Sequence, residues 1–235
     1  MKKFYGYFEN ENYKVGLTGG IVYVYDRYDN ELAKFRVPSG TDYGTFKPGT
    51  NIFVAKSFSG CLLVFDLDKP DIVIKYTYTR CGSEDKGFAF SPSGDLFYNI
   101  ECPDSSVRTQ FSVYDGNSFQ KLGVYYPGDE KIYLEFVETY PDEVYVFGFM
   151  RGDSGVFEYP FTAKFEDGEL KDIRKITSNA YPITDWTPWD KNDCRYLYLY
   201  KQWETTGCSI YATMSYKCLE DSPVRITIKE IHELN

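Results

Sequence analysis

Histidine is almost absent from this chain of 235 residues, which contains only His232. Nucleophilic catalysis by a serine–histidine or cysteine–histidine arrangement needs an imidazole, and so do imidazole-rich zinc sites. Neither kind of site is therefore predicted. The stretch DKNDC (190–194) begins like a calcium loop, but Cys194 replaces a chelating residue and Lys201 stands where the bidentate glutamate belongs. No metal site and no cofactor are predicted.

Positive charge and long apolar runs are also scarce. The 26 Lys and Arg residues are outnumbered by 35 Asp and Glu, which gives a net charge of −9, and they form no basic stripe. A nucleic-acid partner is not expected, because binding to a phosphate backbone depends on clustered cations that release counterions. No run approaches about 18 consecutive apolar residues, so no membrane-spanning segment is predicted.

Signals for export and for paired cysteines are missing as well. In MKKFYGYFENENYKVG, acidic and amide residues interrupt what would be the apolar part of a signal peptide. The chain contains no Asn-x-Ser/Thr acceptor and no Cys-x-x-Cys pair. We therefore expect a cytoplasmic protein whose cysteines are reduced, with a disulfide-bearing exported form as the alternative. The six cysteines are Cys61, Cys81, Cys102, Cys194, Cys208 and Cys218.

The chain does contain a repeated pattern. Three similar pentapeptides, VYVYD (22–26), LLVFD (62–66) and FSVYD (111–115), recur at intervals of about 40–50 residues. Short aromatic-x-Pro turns recur with the same period. These turns are Phe46-Lys47-Pro48, Phe90-Ser91-Pro92, Trp186-Thr187-Pro188 and, more weakly, Thr139-Tyr140-Pro141. Two markers with one period, inside the window typical of propeller blades, indicate stacked supersecondary units.

Each repeat divides into four short runs that are rich in aromatic and β-branched residues and are separated by Gly, Pro, Asn and Asp. The chain is 19% aromatic and helical periodicity is nearly absent, so an all-β fold is predicted. We expect one domain, 1–235, forming a β-propeller of five four-stranded blades. Six blades or an open arc are the alternatives. The predicted blades are approximately 1–38, 39–80, 81–128, 129–179 and 180–235. Each pentapeptide is predicted to be a third strand, whose Asp caps the following turn.

The segments SPSGDLFYNIE and FSVYDGNSFQKLG resemble a blade of the WD-repeat and YVTN-type β-propellers. In that family an "SPDG" turn opens the second strand, and an aromatic-Asp pair closes the third. The resemblance implies a scaffold for protein interaction, on a fold that hosts many unrelated functions. From the residues themselves, we expect no catalytic activity.

The loops between second and third strands are expected to gather on one rim of such a propeller, because that connection lies at the same end of every blade. Loops carry most binding residues, and aromatic and arginine side chains supply most interface energy. We therefore predict a monomeric module that binds a protein partner through this rim. Its predicted anchors are Phe58, Arg108, Arg151 and Trp203.

Two other functions remain open from the sequence. Trp186 and Trp203 lie in a tryptophan-rich and tyrosine-rich region that could stack against a carbohydrate or another small molecule. Acidic residues near the predicted central channel could instead form a carboxylate pair that hydrolyses glycosides, which would require one of them to have a raised pKa. These channel carboxylates are Asp42, Asp85, Glu135 and Asp185.

Overall fold

The computed structural model describes residues 4, 6–57, 61–69, 73–77, 87–101, 109–125, 131–153 and 157–175. Within these ranges the chain forms fifteen antiparallel strands and no helix. The prediction of an all-β fold is confirmed.

The first seven strands form one continuous sheet in chain order. Its strands are β1 (Gly6–Glu9), β2 (Tyr13–Leu17), β3 (Gly19–Asp26), β4 (Glu31–Phe46), β5 (Ile52–Ser57), β6 (Cys61–Asp66) and β7 (Val73–Thr77). The long strand β4 belongs to two four-stranded meanders, since residues 31–36 pair with β3 and residues 41–46 pair with β5. The first meander therefore comprises β1 to β4, and the second comprises β4 to β7.

Two further four-stranded sheets follow, each with its strands in chain order. The third meander contains β8 (Phe88–Phe90), β9 (Leu96–Glu101), β10 (Gln110–Asp115) and β11 (Lys121–Tyr125). The fourth contains β12 (Ile132–Tyr140), β13 (Glu143–Arg151), β14 (Phe157–Glu166) and β15 (Glu169–Lys175).

The meanders pack face to face in chain order, with a hydrophobic cluster between each successive pair. Because side chains alternate across a strand, neighbouring residues enter different clusters. On β5, Phe53 packs toward the first meander and Val54 toward the third. On β9, Phe97 packs toward the second meander and Tyr98 toward the fourth. Each meander in the middle of the series therefore buries both of its faces.

The first strands of successive meanders lie beside one another. The Phe8 ring of β1 lies 5.5 Å from the Tyr43 ring of β4, which in turn lies 5.4 Å from the Phe88 ring of β8. The Thr139 hydroxyl of β12 donates a hydrogen bond of 2.6 Å to the carbonyl oxygen of Phe90 in β8. These contacts join the four first strands in one row.

The repeated pentapeptides form strand β6 and the ends of strands β3 and β10, each the third strand of its meander. Their final aspartates accept hydrogen bonds from the turn that follows. Asp26 accepts from the backbone N–H groups of Tyr28 (2.8 Å) and Asn30 (2.9 Å). Asp115 accepts from the backbone N–H and the hydroxyl of Ser118, at 2.7 and 2.8 Å. The predicted capping of these turns by aspartate is confirmed.

This capping predicts a pH-dependent effect of Asp115→Ala. Hydrogen bonds from Ser118 and Asn117 lower the pKa of Asp115 in the folded protein. A carboxylate with a lowered pKa stabilises the fold above the pKa of the unfolded chain, about 3.9, and this stabilisation is lost as the pH falls through the folded-state value. We expect Asp115→Ala to lower the melting temperature at pH 7, and the difference from wild type to shrink below about pH 4.

Asp95→Ala is a matched control for this measurement, since Asp95 is an exposed residue at the same end of the third meander. Thermal unfolding followed by circular dichroism at several pH values provides the comparison. A deficit for Asp115→Ala that stays constant down to pH 3 would contradict capping by the charged carboxylate.

Candidate functional site

The meanders have two kinds of edge. We call the edge where second strands end and third strands begin the rim edge; it contains the ends of β5, β9 and β13 and the starts of β6 and β10. The opposite edge, which we call the turn edge, contains the short turns between first and second strands and between third and fourth strands, such as 10–12, 47–51 and 116–120.

A buried polar cluster lies at the rim edge, between the second and third meanders. At the turn edge this same interface is filled with apolar side chains such as Phe90 and Phe119. Toward the rim edge, polar residues replace them on the faces that the two meanders share. The cluster consists of Lys56, Asn99, Glu101, Gln110 and Ser112, all at most 4% exposed, together with the partly exposed Lys121.

Glu101 is the centre of this polar cluster. Its carboxylate forms an ion pair of 2.9 Å with the Lys121 ammonium group and accepts a 2.6 Å hydrogen bond from the Gln110 side chain. Ser112, Asn99 and Tyr114 also donate to it. Burial alone would raise the pKa of Glu101, but the hydrogen bonds from Tyr114, Lys121 and Gln110 and the charge of Lys121 outweigh it and hold the pKa below its usual range.

Lys56 connects the second meander to this cluster. It lies on β5 and is 2% exposed. Its ammonium group donates to the Asn99 side-chain oxygen (3.0 Å) and to the carbonyl oxygen of Ile100 (2.6 Å), both in the third meander. A buried ammonium group needs such acceptors, because burying an unpaired charge is strongly unfavourable. Lys56 therefore joins the rim-edge ends of two meanders.

Hydrogen bonds join the strand ends on either side of two segments at the rim edge. On either side of residues 58–60, the backbone N–H of Cys61 donates to the Ser57 hydroxyl at 3.2 Å. On either side of residues 102–108, the Gln110 side chain donates to Glu101. In the fourth meander, an exposed ion pair of 2.7 Å joins Lys131, just before β12, to Asp153, just after β13. The first two bonds hold the end of a second strand against the start of the third strand.

Arg151 is the one predicted anchor whose side chain the structure describes. It ends β13 at the rim edge, where its side chain is buried at 5% exposure. Its guanidinium carbon lies 4.8 Å from the centre of the Tyr133 ring, in a cation–π arrangement. A role for Arg151 in binding a partner stays a prediction.

The side chains of the other predicted site residues lie outside the described part of the chain. The backbones of Asp42 and Glu135 lie on the first strands of their meanders, in β4 and β12, but their side chains fall outside the described part of the chain. Six further residues lie wholly outside it, namely Phe58, Asp85, Arg108, Asp185, Trp186 and Trp203. The predicted channel and the tryptophan-rich region therefore stay predictions.

The buried polar cluster was not predicted from the sequence, although the sequence contains a signal for it. Lys56 shares a strand face with Ile52 and Val54, and Glu101 shares one with Phe97. In each strand a charged residue thus stands where strict alternation calls for a core residue. Such a position indicates a buried, paired charge when the partner strand supplies acceptors or donors.

Within the part of the chain that the structure describes, no group of three or more His, Cys, Asp and Glu side chains is placed to hold a metal ion. The same ranges contain no helix with the length and apolar character needed to cross a membrane.

Comparisons with known proteins show the fold alone. No protein-family model and no curated protein matches the chain. Among solved structures, the chain is similar to hydrazine synthase of Kuenenia stuttgartiensis, with a TM-score of 0.53 and 16% sequence identity. The match covers 70% of this chain but only 46% of that one, so the chain spans less than half the length of its structural neighbour. At this identity, the similarity says that the arrangement of strands recurs, and it carries no function.

Proposed function

We propose that the chain is a five-bladed β-propeller of the WD-repeat-like kind, in which the four described meanders are the first four blades. The row of first strands supports a common axis, since Phe8, Tyr43 and Phe88 from three successive meanders contact one another there. Packing of each meander against the next is the way that propeller blades bury both sheet faces.

The outward faces of the series support a fifth blade. On the first meander, the Phe4 and Tyr23 rings lie 5.8 Å apart on the face turned away from the second. On the fourth, alternation along β13 turns Tyr145, Phe147 and Phe149 away from the third meander, and each is at most 2% exposed. Two aromatic faces at the ends of the series match what a closing blade would cover, and residues 176–235 are long enough to provide it.

The proposed function is non-catalytic binding of a protein partner through the rim edge. The observation that supports it is the hydrogen bonding between strand ends described above, above all the bond between Gln110 and Glu101 on either side of residues 102–108. A scaffold whose strand ends are held rigidly is the usual platform for binding residues. Phe58, Arg108 and Trp203 are the proposed anchors, and the buried Arg151 is proposed to support the rim edge from the end of β13.

A hydrolase that relies on Glu101 is disfavoured by the chemistry of this residue. A general acid in glycoside hydrolysis needs a raised pKa, so that the carboxyl group is protonated near neutral pH. Glu101 has a lowered pKa and is surrounded by hydrogen-bond donors. Its role is to hold the ends of β9 and β10 together.

Affinity purification from the native host tests the rim. The wild-type protein is compared with two rim variants, Arg108→Glu and Asp153→Lys; the Asp153 side chain is 94% exposed. The control is Asp142→Lys, which changes an exposed acid in a turn at the opposite edge. The affinity of the recovered partner is then measured with purified components. We expect Arg108→Glu to weaken binding at least about tenfold, as for an interface arginine, and Asp142→Lys to leave it unchanged.

Recovery of the same partners with equal affinity by the wild-type protein and both rim variants would refute the rim. A partner lost only in Asp142→Lys would place the interface at the turn edge instead. Binding of carbohydrate that is lost on changing Trp186 or Trp203 would favour the small-ligand alternative.

A further inference from the structure

A cleft at the turn edge separates the first meander from the second. It has a volume of about 380 Å³ and lies between turn 10–12 of the first meander and residues 46–51 of the second. This volume is within the range of small-ligand sites, which begins at about 300 Å³. The cleft is at the opposite edge from the proposed rim and involves none of its residues.

The polar wall of the cleft is held by a continuous chain of hydrogen bonds. Asn51 lies at its centre, where its side-chain oxygen accepts from the side-chain N–H groups of Asn10 (3.2 Å) and Asn12 (3.1 Å). The Asn51 side-chain N–H group donates to Asp68 at 3.0 Å, and Asp68 also accepts from the Tyr13 hydroxyl at 3.1 Å. These bonds hold three turns together before any ligand binds. They are the turn at 10–12, the turn at 47–51 and the turn that contains Asp68.

Two acceptors at the mouth of the cleft are not used by this chain of bonds. Asn12 donates through its side-chain nitrogen, and no donor in the described ranges contacts its side-chain oxygen. Glu11 is exposed, and its carboxylate forms no ion pair or hydrogen bond with the residues that the structure describes. A ligand that brings hydrogen-bond donors would satisfy both.

The side of the cleft formed by residues 46–49 is largely apolar. Phe46 is half-buried, with its ring 5.1 Å from that of Phe53, and Pro48 and Gly49 are exposed beside it. Lys47 is 6% exposed, and its side chain runs toward the third meander, where its ammonium group donates to the Asn117 side chain. Its charge therefore lies away from the cleft, whose Phe46–Pro48 side offers an apolar surface.

We propose that this cleft binds a hydroxyl-rich ligand of the size of one sugar unit. The hydroxyl groups of such a ligand donate to Glu11 and to the side-chain oxygen of Asn12, and its C–H face packs on Phe46 and Pro48. The prearranged amide wall lowers the entropy lost on binding. The ligand is either a free monosaccharide or the end of a glycan chain.

Saturation-transfer NMR with defined sugars tests the proposal. The free probes are glucose, galactose, mannose and N-acetylglucosamine, and the chain-end probes are maltotriose, cellotriose and chitotriose. Glu11→Ala removes the charged acceptor, Asn12→Ala removes the neutral one, and Asp142→Ala is the matched control in the equivalent turn of the fourth meander. Glu11 is exposed and makes no contact in the wall, so unchanged thermal unfolding is expected for Glu11→Ala, whereas Asn12→Ala also removes the exposed bond to Asn51 and is expected to lower the melting temperature slightly.

We expect at least one sugar to bind, and its affinity to fall at least about tenfold in Glu11→Ala, as for a hydrogen bond to a charged group, while Asp142→Ala binds like wild type. Binding by the free sugars and the trisaccharides alike indicates a monosaccharide site, and binding by the trisaccharides alone indicates a chain-end site. No binding by any probe would overturn the proposal, and so would binding that Glu11→Ala and Asn12→Ala leave unchanged. Preference for spermidine over every sugar would also overturn it. None of these results depends on whether the rim binds a protein.

Discussion

Replacing Glu101 by alanine is expected to lower the free energy of unfolding by about 3–5 kcal/mol, the range for removing one partner of a buried ion pair. The loss is large because several buried donors lose their acceptor at once, and the ammonium group of Lys121 loses its counter-charge. Lys121 is itself 34% exposed, so solvent will offset part of its loss and favours the lower end of the range. The donors affected are those of Asn99, Gln110, Ser112, Tyr114 and Lys121.

Equilibrium unfolding in urea measures this effect. Asp153→Ala is the control, since it removes the acid of an ion pair that is exposed at the same rim edge, and we expect it to change stability little. The double variant Glu101→Leu with Lys121→Met should recover part of the loss, because it removes the charge that Glu101→Ala leaves unpaired. Equal stability of Glu101→Ala and the wild-type protein would mean that the cluster does not hold the rim edge.

The sign of the pH dependence is a second check on Glu101. Because its pKa is lowered on folding, its contribution to stability is present above the unfolded-state pKa of about 4.3 and is lost as the pH falls through the folded-state value. The difference between Glu101→Ala and the wild-type protein should therefore narrow in acid. A difference that widens in acid would mean that Glu101 is protonated in the folded protein.

Gly148→Ala is expected to destabilise the protein by about 3 kcal/mol or more, at the upper end for an overpacked interior position. Gly148 lies in β13 and pairs with Leu134 of β12. A β-carbon at this glycine would overlap the carbonyl oxygen of Tyr133, with the Tyr133 carbonyl carbon at 2.8 Å and the Leu134 α-carbon at 3.0 Å. These are backbone atoms of a paired strand, which cannot move aside without breaking ladder hydrogen bonds.

Gly20→Ala is the matched control, because Gly20 also lies in a strand but its added β-carbon would meet nothing within 4 Å. Urea unfolding of the two variants separates the steric effect from the general effect of replacing glycine, which in a strand slightly favours alanine. Similar stability of the two variants would mean that β12 does not approach β13 this closely.

The regular parts of the fold could be predicted because they rest on local chemistry. Alternation in VYVYD and the aspartate after it identify a strand and its capped turn within a few residues, and Asp26 and Asp115 behave as that pattern predicts. Strand β4 is different, since it continues across the predicted blade boundary at 38/39. Pro38 and Gly40 favour a turn in isolation, whereas here a positive φ at Gly40 and a 2.7 Å bond from the Thr41 hydroxyl to the Pro38 carbonyl oxygen accommodate them within the strand.

The sites were harder to predict because they join residues that are far apart in the chain. Lys56 of the second meander donates a hydrogen bond to Asn99 of the third, and Asn10 of the first meander donates one to Asn51 of the second. Hydrophobic periodicity predicts that a polar residue faces the solvent unless a buried hydrogen-bond partner is known for it. Which residue is that partner depends on how the sheets pack against one another. Arg151 is the same case, because its guanidinium group packs on the Tyr133 ring of a neighbouring strand.

The continuity of β4 also bears on how the protein assembles as it is synthesised. Residues 31–36 complete the first meander, and residues 41–46 of the same strand begin the second. The second meander therefore starts from a strand end that is already anchored, and no separate loop has to be closed to bring the two together. We therefore expect the shared strand to favour addition of the second meander onto the first during synthesis.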